Sequence, residues 1–181
     1  RVVMFLGTPR AHKGIKELFI AIEKIKDSSI RLVLIGADPS IQSYIDKMQS
    51  NQDRVVIFPK TSFKDLPKHL SAADILVIPQ RNTTDTQGQI PAKLFDAMAM
   101  AKPVITTPLS DIEEVLGGHG YLINPGNPDE LAKTIEYIFA NPEEARLKGL
   151  SARKRCQELY DIKVLQKELN LQIEKLAITH S

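Results

Sequence analysis

The sequence predicts a doubly wound α/β domain, a parallel sheet of about six strands with helices on both faces. Two observations carry this. Short apolar runs alternate with stretches of helical period almost without exception along the 181 residues. The runs are apolar throughout, as strands are when helices cover both of their faces. Right-handed crossovers between such strands give the doubly wound arrangement.

The elements follow in order. Val2–Leu6 reads as the first strand. Lys13–Lys26 reads as a helix, with Ile15, Leu18, Phe19, Ile22 and Ile25 on one face. Leu32–Ile35 is a strand ended by Gly36, and Ser40–Gln49 a helix entered through Pro39. Val55–Phe58 is a short strand, Leu66–Ala72 a short helix, and Asp74–Ile78 a strand closed by Pro79. Pro91 suits the first position of the next helix, since it needs no N–H there. That helix is expected to stop at Ala101-Lys102, because Pro103 disfavours helical geometry in its predecessor. Val104–Thr106 is a buried strand, Asp111–Leu116 a short helix and Gly120–Ile123 a last strand. Asp129–Phe139 and Pro142–Tyr160 are helices, with Asn127 and Asn141 as N-caps. A final helix over Ile162–Ile178 carries an apolar stripe of Val164, Leu165, Leu169, Ile173 and Leu176.

Bulk properties narrow the function. Apolar residues make up 43% and charged residues 25%, an ordinary globular composition and enough for one core. Lys and Arg number 24 against 22 Asp and Glu, too balanced to argue for nucleic acid or an anionic membrane. The single cysteine, Cys156, has no partner for an internal disulfide, which fits a reducing cytoplasm. No run of about 18 apolar residues exists to span a bilayer. No signal peptide is legible, and the chain opens straight on a core strand, which reads as a cut piece of something longer. His12, His69, His119 and His180 show no ligand spacing, so no metal is expected. P-loop and G-x-G-x-x-G motifs are absent, against P-loop hydrolysis and standard NAD binding.

In such a sheet, ligands sit beyond the carboxyl ends of the strands. The loops expected there are Gly7–Gly14, Pro59–Lys64, Pro79–Pro91 and Thr106–Ser110. Residues 79–90 form the longest irregular stretch, polar and rich in Thr, Asn and Gln, as functional or mobile loops are. The stretch from Gln87 to Thr107 is the most informative. The amides of Ala92 and Lys93 fall at the positive end of a helix dipole, a ready anion site. Asp96 sets a carboxylate one turn further in, interrupting an apolar segment. Amide donors plus a carboxylate suit a nucleoside diphosphate, phosphates on the amides and ribose hydroxyls on the acid. Arg10 and Lys13 bring two cations into the loop after the first strand, where Gly7 lets a ligand approach the backbone. Met98 and Met100 read as core packing.

These residues resemble the donor-site helix of family 4-type retaining GT-B glycosyltransferases. That family carries two Glu separated by seven residues, then Ala-Met-Ala-x-Gly-Lys-Pro-Val-Ile. Here Asp96 matches the second Glu, followed by Ala97-Met98-Ala99 and Lys102-Pro103-Val104-Ile105. The first acid is missing, because its position is Gly88, and the glycine before Lys102 is Ala101. The loop after the first strand is similar to the family's Gly-Arg-Leu-x-x-x-Lys-Gly: Gly7, Lys13 and Gly14 match, Thr8 stands at the Arg position, and Arg10 lies two residues on.

The resemblance covers nearly the whole chain. It implies a Rossmann-like C-terminal half that binds a nucleotide-sugar donor, lacking an N-terminal acceptor domain. Lys13 and Arg10 would stabilise the diphosphate leaving group, making a metal or other cofactor unnecessary. Gly7, Thr8, Phe58, Lys60, Gln87, Gly88, Gln89, Ile90, Ala92, Lys93 and Asp96 would line the donor site. The Phe58–Ser62 loop would frame the base with backbone groups, and Gln87 or Gln89 would stand in for the missing acid. The implied reaction is transfer of a hexosyl unit to an acceptor hydroxyl with retention, in a cytoplasmic enzyme that can associate peripherally with membranes. The alternatives are a non-catalytic interaction module of the same fold, or a nucleotide-sugar epimerase.

Overall fold

The computed structural model describes residues 1–179; His180 lies outside them. Six strands, β1 (Val2–Leu6), β2 (Arg31–Ile35), β3 (Val55–Phe58), β4 (Ile75–Ile78), β5 (Val104–Thr106) and β6 (Tyr121–Leu122), form one parallel sheet in the order β3-β2-β1-β4-β5-β6. The helices are α1 (Ile15–Lys24), α2 (Gln42–Ile45), α3 (Leu66–Ser71), α4 (Ala92–Ala99), α5 (Ile112–Leu116), α6 (Pro128–Ala140), α7 (Pro142–Leu159) and α8 (Ile162–Thr179).

Period-two alternation divides the strands between two cores. Val3, Phe5, Leu32, Leu34, Ile75, Val77 and Ile105 face α1 and α6 through Leu18, Ile22, Leu131 and Ile135. Met4, Val33, Ile35, Leu76, Ile78 and Val104 face α3, α4, α5 and α7 through Leu70, Leu94, Met98, Val115 and Ala152. The need for apolar side chains on both faces makes the inner strands near-continuous apolar runs, whereas edge strand β3 leaves Val56, Ile57 and Phe58 exposed.

From β1 the chain winds outward to β2 and β3, then returns to β4 on the other side, so the switch point lies between β1 and β4. There the sheet opens. β1 stays in register with β2 as far as Leu6 and Ile35, but its ladder with β4 ends at Met4 and Leu76. Beyond Met4 and Leu76 the two strands share no ladder pair, at the carboxyl edge where doubly wound sheets present their ligand crevice.

Four expectations need correction. The Ser40–Gln49 helix shrinks to α2: a 3-10 turn over Pro39–Ile41 precedes it, and i−3 bonds at Lys47 and Met48 tighten the chain after it. Pro91 is the N-cap of α4 rather than its first residue, and Leu94 N donates to the Pro91 carbonyl. α4 ends at Ala99, with Ala101 left-handed at φ 53°, and not through Pro103 acting on Lys102. Asn141 occupies the N-cap position of α7 but turns its amide to the Tyr137 carbonyl instead of capping, whereas Asn127 accepts from Glu130 N as expected. As expected, α8 carries an apolar stripe, and Leu165, Leu169 and Ile173 on it are exposed.

Candidate functional site

Two loops meet over the crevice. The first leaves β1 through Gly7, whose N–H donates to the Ile35 carbonyl, and ends at Gly14. The second, residues 79–91, leaves β4. It folds on itself rather than lying loose. Buried Thr86 donates from Oγ1 to the Arg81 and Thr83 carbonyls, and accepts from Thr83 N. Arg81 ties the loops together: its N–H donates to the His12 carbonyl at 2.9 Å, and its guanidinium reaches buried Glu17 at 3.4 Å. His12 Nδ1 also lies 3.6 Å from Asp85 Oδ2.

Below these loops sit the cations. Lys13 Nζ donates to the Thr8 carbonyl at 3.2 Å. Burial, with the Arg10 charge adding to it, holds its pKa below the usual lysine value. The Arg10 guanidinium is exposed and makes no hydrogen bond or ion pair among the described residues; its charge acts on Lys13 and Asp38.

Lys93 is the residue that sequence reasoning underrates. It was expected to contribute its backbone amide. Its side chain leaves α4, which packs on one core, and passes to the ring of Phe5, which belongs to the other. The ammonium lies 4.6 Å from that ring's centroid and donates to the Leu6 carbonyl at 3.2 Å. Leu6 lies beyond the last β1–β4 pair, so Lys93 fills the gap that the splayed strands leave. Burial, and then the charge of Lys13, bring its pKa down to about 7. The rule that singles out Asp96, a charge within an apolar stretch, applies equally to Lys93 and was a usable signal.

The amides of Ala92 and Lys93 have no backbone acceptor among the described residues. Asp96, one turn on, is half-buried, makes no side-chain hydrogen bond among the described residues, and has its pKa raised by burial. Gly7, Thr8, Lys13, Ala92 and Lys93 thus meet around the switch point, while Asp96 stands one turn further along α4, where its charge acts on Cys156 of α7. The other expected residues are spread out. Phe58 and Lys60 are exposed at the end of β3, two strands from β1, roughly 10 Å by strand spacing. Gln87, Gly88 and Gln89 are exposed on the second loop, and Gln87 donates to Asn82 at 3.3 Å. Ile90 packs its side chain on the core beside α4. Gly88 holds φ 72°, and a Cβ there would meet nothing within 4 Å. The position of the missing acid is thus open, but its backbone is one that a Glu would occupy only with strain.

A cavity of about 390 Å³ at the opposite edge of the sheet makes a useful contrast. Its cations have partners: Arg1 pairs with Asp27, Lys102 donates to the Ser71 and Ala73 carbonyls, and Arg146 pairs with Glu143. At the switch point, Lys13 and Lys93 are paired with no carboxylate among the described residues. An uncompensated cation cluster in a crevice is fitted to an anion.

Comparison with known proteins agrees with this geometry. Residues 1–141 match the family described as glycosyl transferases group 1. The chain is 30% identical over 136 residues to TuaC of Bacillus subtilis, a glycosyltransferase assigned to teichuronic acid biosynthesis; the match covers 75% of this chain and 32% of that protein. In structure it is similar to Anabaena HepE crystallised with UDP, with a TM-score of 0.83 at 18% identity over 96% of this chain and 48% of that one. It is also similar to the C-terminal domain of the group 1 glycosyl transferase LpcC from Francisella tularensis, with a TM-score of 0.75 at 20% identity over 89% of this chain and 86% of that one. The chain spans between 32% and 45% of the length of the curated relatives it matches.

Proposed function

The chain belongs to the group 1 glycosyl transferases, and on that premise we propose that it is the donor-binding half of a retaining enzyme that transfers a hexosyl unit from a nucleotide sugar to an acceptor hydroxyl. One observation carries the reading: Lys13 and Lys93 meet at the end of β1, each bonded to a main-chain carbonyl and neither paired with a carboxylate among the described residues. A nucleoside diphosphate supplies the missing charge. Its phosphates lie over the Gly7–Thr8 turn and the amides of Ala92 and Lys93, and its ribose reaches the unpartnered carboxylate of Asp96. Lys13 then steadies the charge that builds on the diphosphate as the glycosidic bond breaks, without a metal ion. The base extends toward Phe58 and Lys60. The sugar points toward Gly88, and the acceptor is held by a further domain outside this stretch of sequence.

The test is titration with UDP, GDP and ADP of wild type, Lys13→Ala and Asp96→Ala. At least one nucleotide is expected to bind, and loss of the Asp96 carboxylate to weaken it by ~1.5–3 kcal/mol. Wild type that binds none of them, or two variants that bind as well as wild type, refutes the reading. The open, left-handed Gly88 favours one second reading, a non-catalytic module that has kept the nucleotide pocket. That module would bind the diphosphate but gain nothing from the sugar, so equal affinity for UDP and for every UDP-sugar would support it.

A further inference from the structure

We propose that the side chain of Lys93, threaded through the gap between β1 and β4, is itself a ligand of the donor diphosphate and works as a pair with Lys13. This rests on the donor-binding reading above. The two ammonium groups grip the same run of backbone. Lys93 holds the Leu6 carbonyl and Lys13 the Thr8 carbonyl, each at 3.2 Å, on either side of the Gly7 turn that faces the crevice. Each is placed by a different element, Lys13 by the loop after β1 and Lys93 by the first turn of α4. A bridging pyrophosphate would therefore tie α4 to β1 across the point where the sheet has parted.

Lys93 is not there to hold the fold. A lysine bonded to one carbonyl and facing an aromatic ring places a charge next to apolar surface with no acid to offset it. Charged groups stand on several of the elements around it. Lys13 comes from the loop after β1, Arg10 beyond it in the same loop, Asp38 on the far side of Arg10, and Asp96 one turn along α4. The charge that acts on Lys93 is that of Lys13, and it is repulsive, so the empty site leaves Lys93 ready to shed its proton. An arriving diphosphate reverses that balance. The amine takes a proton from solvent and becomes an ammonium paired with phosphate oxygen.

Calorimetric titration of UDP, GDP and ADP at pH 8 tests this, in HEPES and in Tris, whose ionisation enthalpies differ and neither of which carries a phosphate. Binding of the preferred nucleotide to wild type is expected to take up close to one proton, on the order of 0.5–1 per site. Lys93→Met keeps the length of the side chain and removes the amine. It is expected to bind about 10- to 100-fold more weakly and with the proton uptake abolished, while its melting temperature without ligand stays at or above that of wild type. Equal affinity and equal proton uptake in the two proteins overturn the proposal, and leave donor binding intact if Lys13→Ala and Asp96→Ala still weaken it. Wild type that binds no nucleotide at all removes both.

Discussion

Gly14 lies against the backbone of Pro79: a methyl group on Gly14 would sit 1.7 Å from the Pro79 carbonyl oxygen. This contact joins the end of the loop after β1 to the exit of β4, and so fixes the mouth of the crevice. A carbonyl on a strand end cannot swing aside as a flexible side chain can. Gly14 also holds φ 73°, which L-residues adopt at a cost. Gly14→Ala is expected to lower stability by ~3 kcal/mol or more, read from the urea midpoint at unchanged m-value. A loss under ~1 kcal/mol would mean that the two loops are not pinned together here.

Arg54 is a second pin, far from the crevice. Its guanidinium is buried and donates to three carbonyls, Ile30 at 2.9 Å, Ile25 at 3.0 Å and Asp27 at 2.9 Å. Ile25 is the C-cap of α1, so Arg54 satisfies a helix end that would otherwise be orphaned. Arg54→Met keeps the stem and strands the carbonyls. The expected loss is ~2–4 kcal/mol, a fall of roughly 4–16 °C in melting temperature for a chain of this size. Arg54→Lys, which reaches fewer of the acceptors, should recover only part of it.

The inner strands were legible because each feeds two cores and is apolar for that reason; Val104–Thr106 is found to the residue. What lies at the carboxyl edge was legible only in outline. Lys13 and Asp96 stand out from their local pattern, whereas the course of the Lys93 side chain depends on where β1 and β4 part, a relation between residues 87 apart in sequence. The Thr83–Thr86 hydrogen bonds that order the second loop are local, and the Thr spacing carries that signal. The exposed stripe of α8 is the reverse case: the pattern predicts an apolar face, but a pattern does not say what covers it.

Ala101 shows a local rule broken at a cost. α4 ends in a complete Schellman motif, with Lys102 N bonded to the Ala97 carbonyl at 3.0 Å and Ala101 N to the Met98 carbonyl at 2.9 Å. The left-handed position of that motif favours glycine, yet here it holds alanine at φ 53°. Ala101→Gly removes ~1–2 kcal/mol of strain and adds back ~0.4–1 kcal/mol of unfolded-state freedom. A net gain of ~0.5–1 kcal/mol is expected, a rise of roughly 1–4 °C in melting temperature. A fall instead would place the strain elsewhere in the turn.

Lys93 makes the stability of the chain depend on pH in a way that a single substitution can isolate. Its pKa is about 7 in the folded protein against 10.5 for the free side chain. Between those values the unfolded chain holds the proton and the folded chain does not, so the Lys93 contribution rises with pH from about 7 to 10.5. Below pH 7 both states are protonated and the full cost of the half-desolvated ammonium is borne; above 10.5 it is gone. Lys13 and Lys102, also lowered, push in the same direction, while Tyr121, raised to about 12, lowers stability above pH 10. The difference between wild type and Lys93→Met cancels these common contributions. Urea midpoints from pH 6.5 to pH 10 should show the Met variant ahead at the acid end, with the gap closing by ~2 kcal/mol or more after allowance for the water that still reaches the side chain. Two curves that run parallel across that range would show that the amine keeps its proton in the empty site, and the charge switch at the β1–β4 gap would be lost with it.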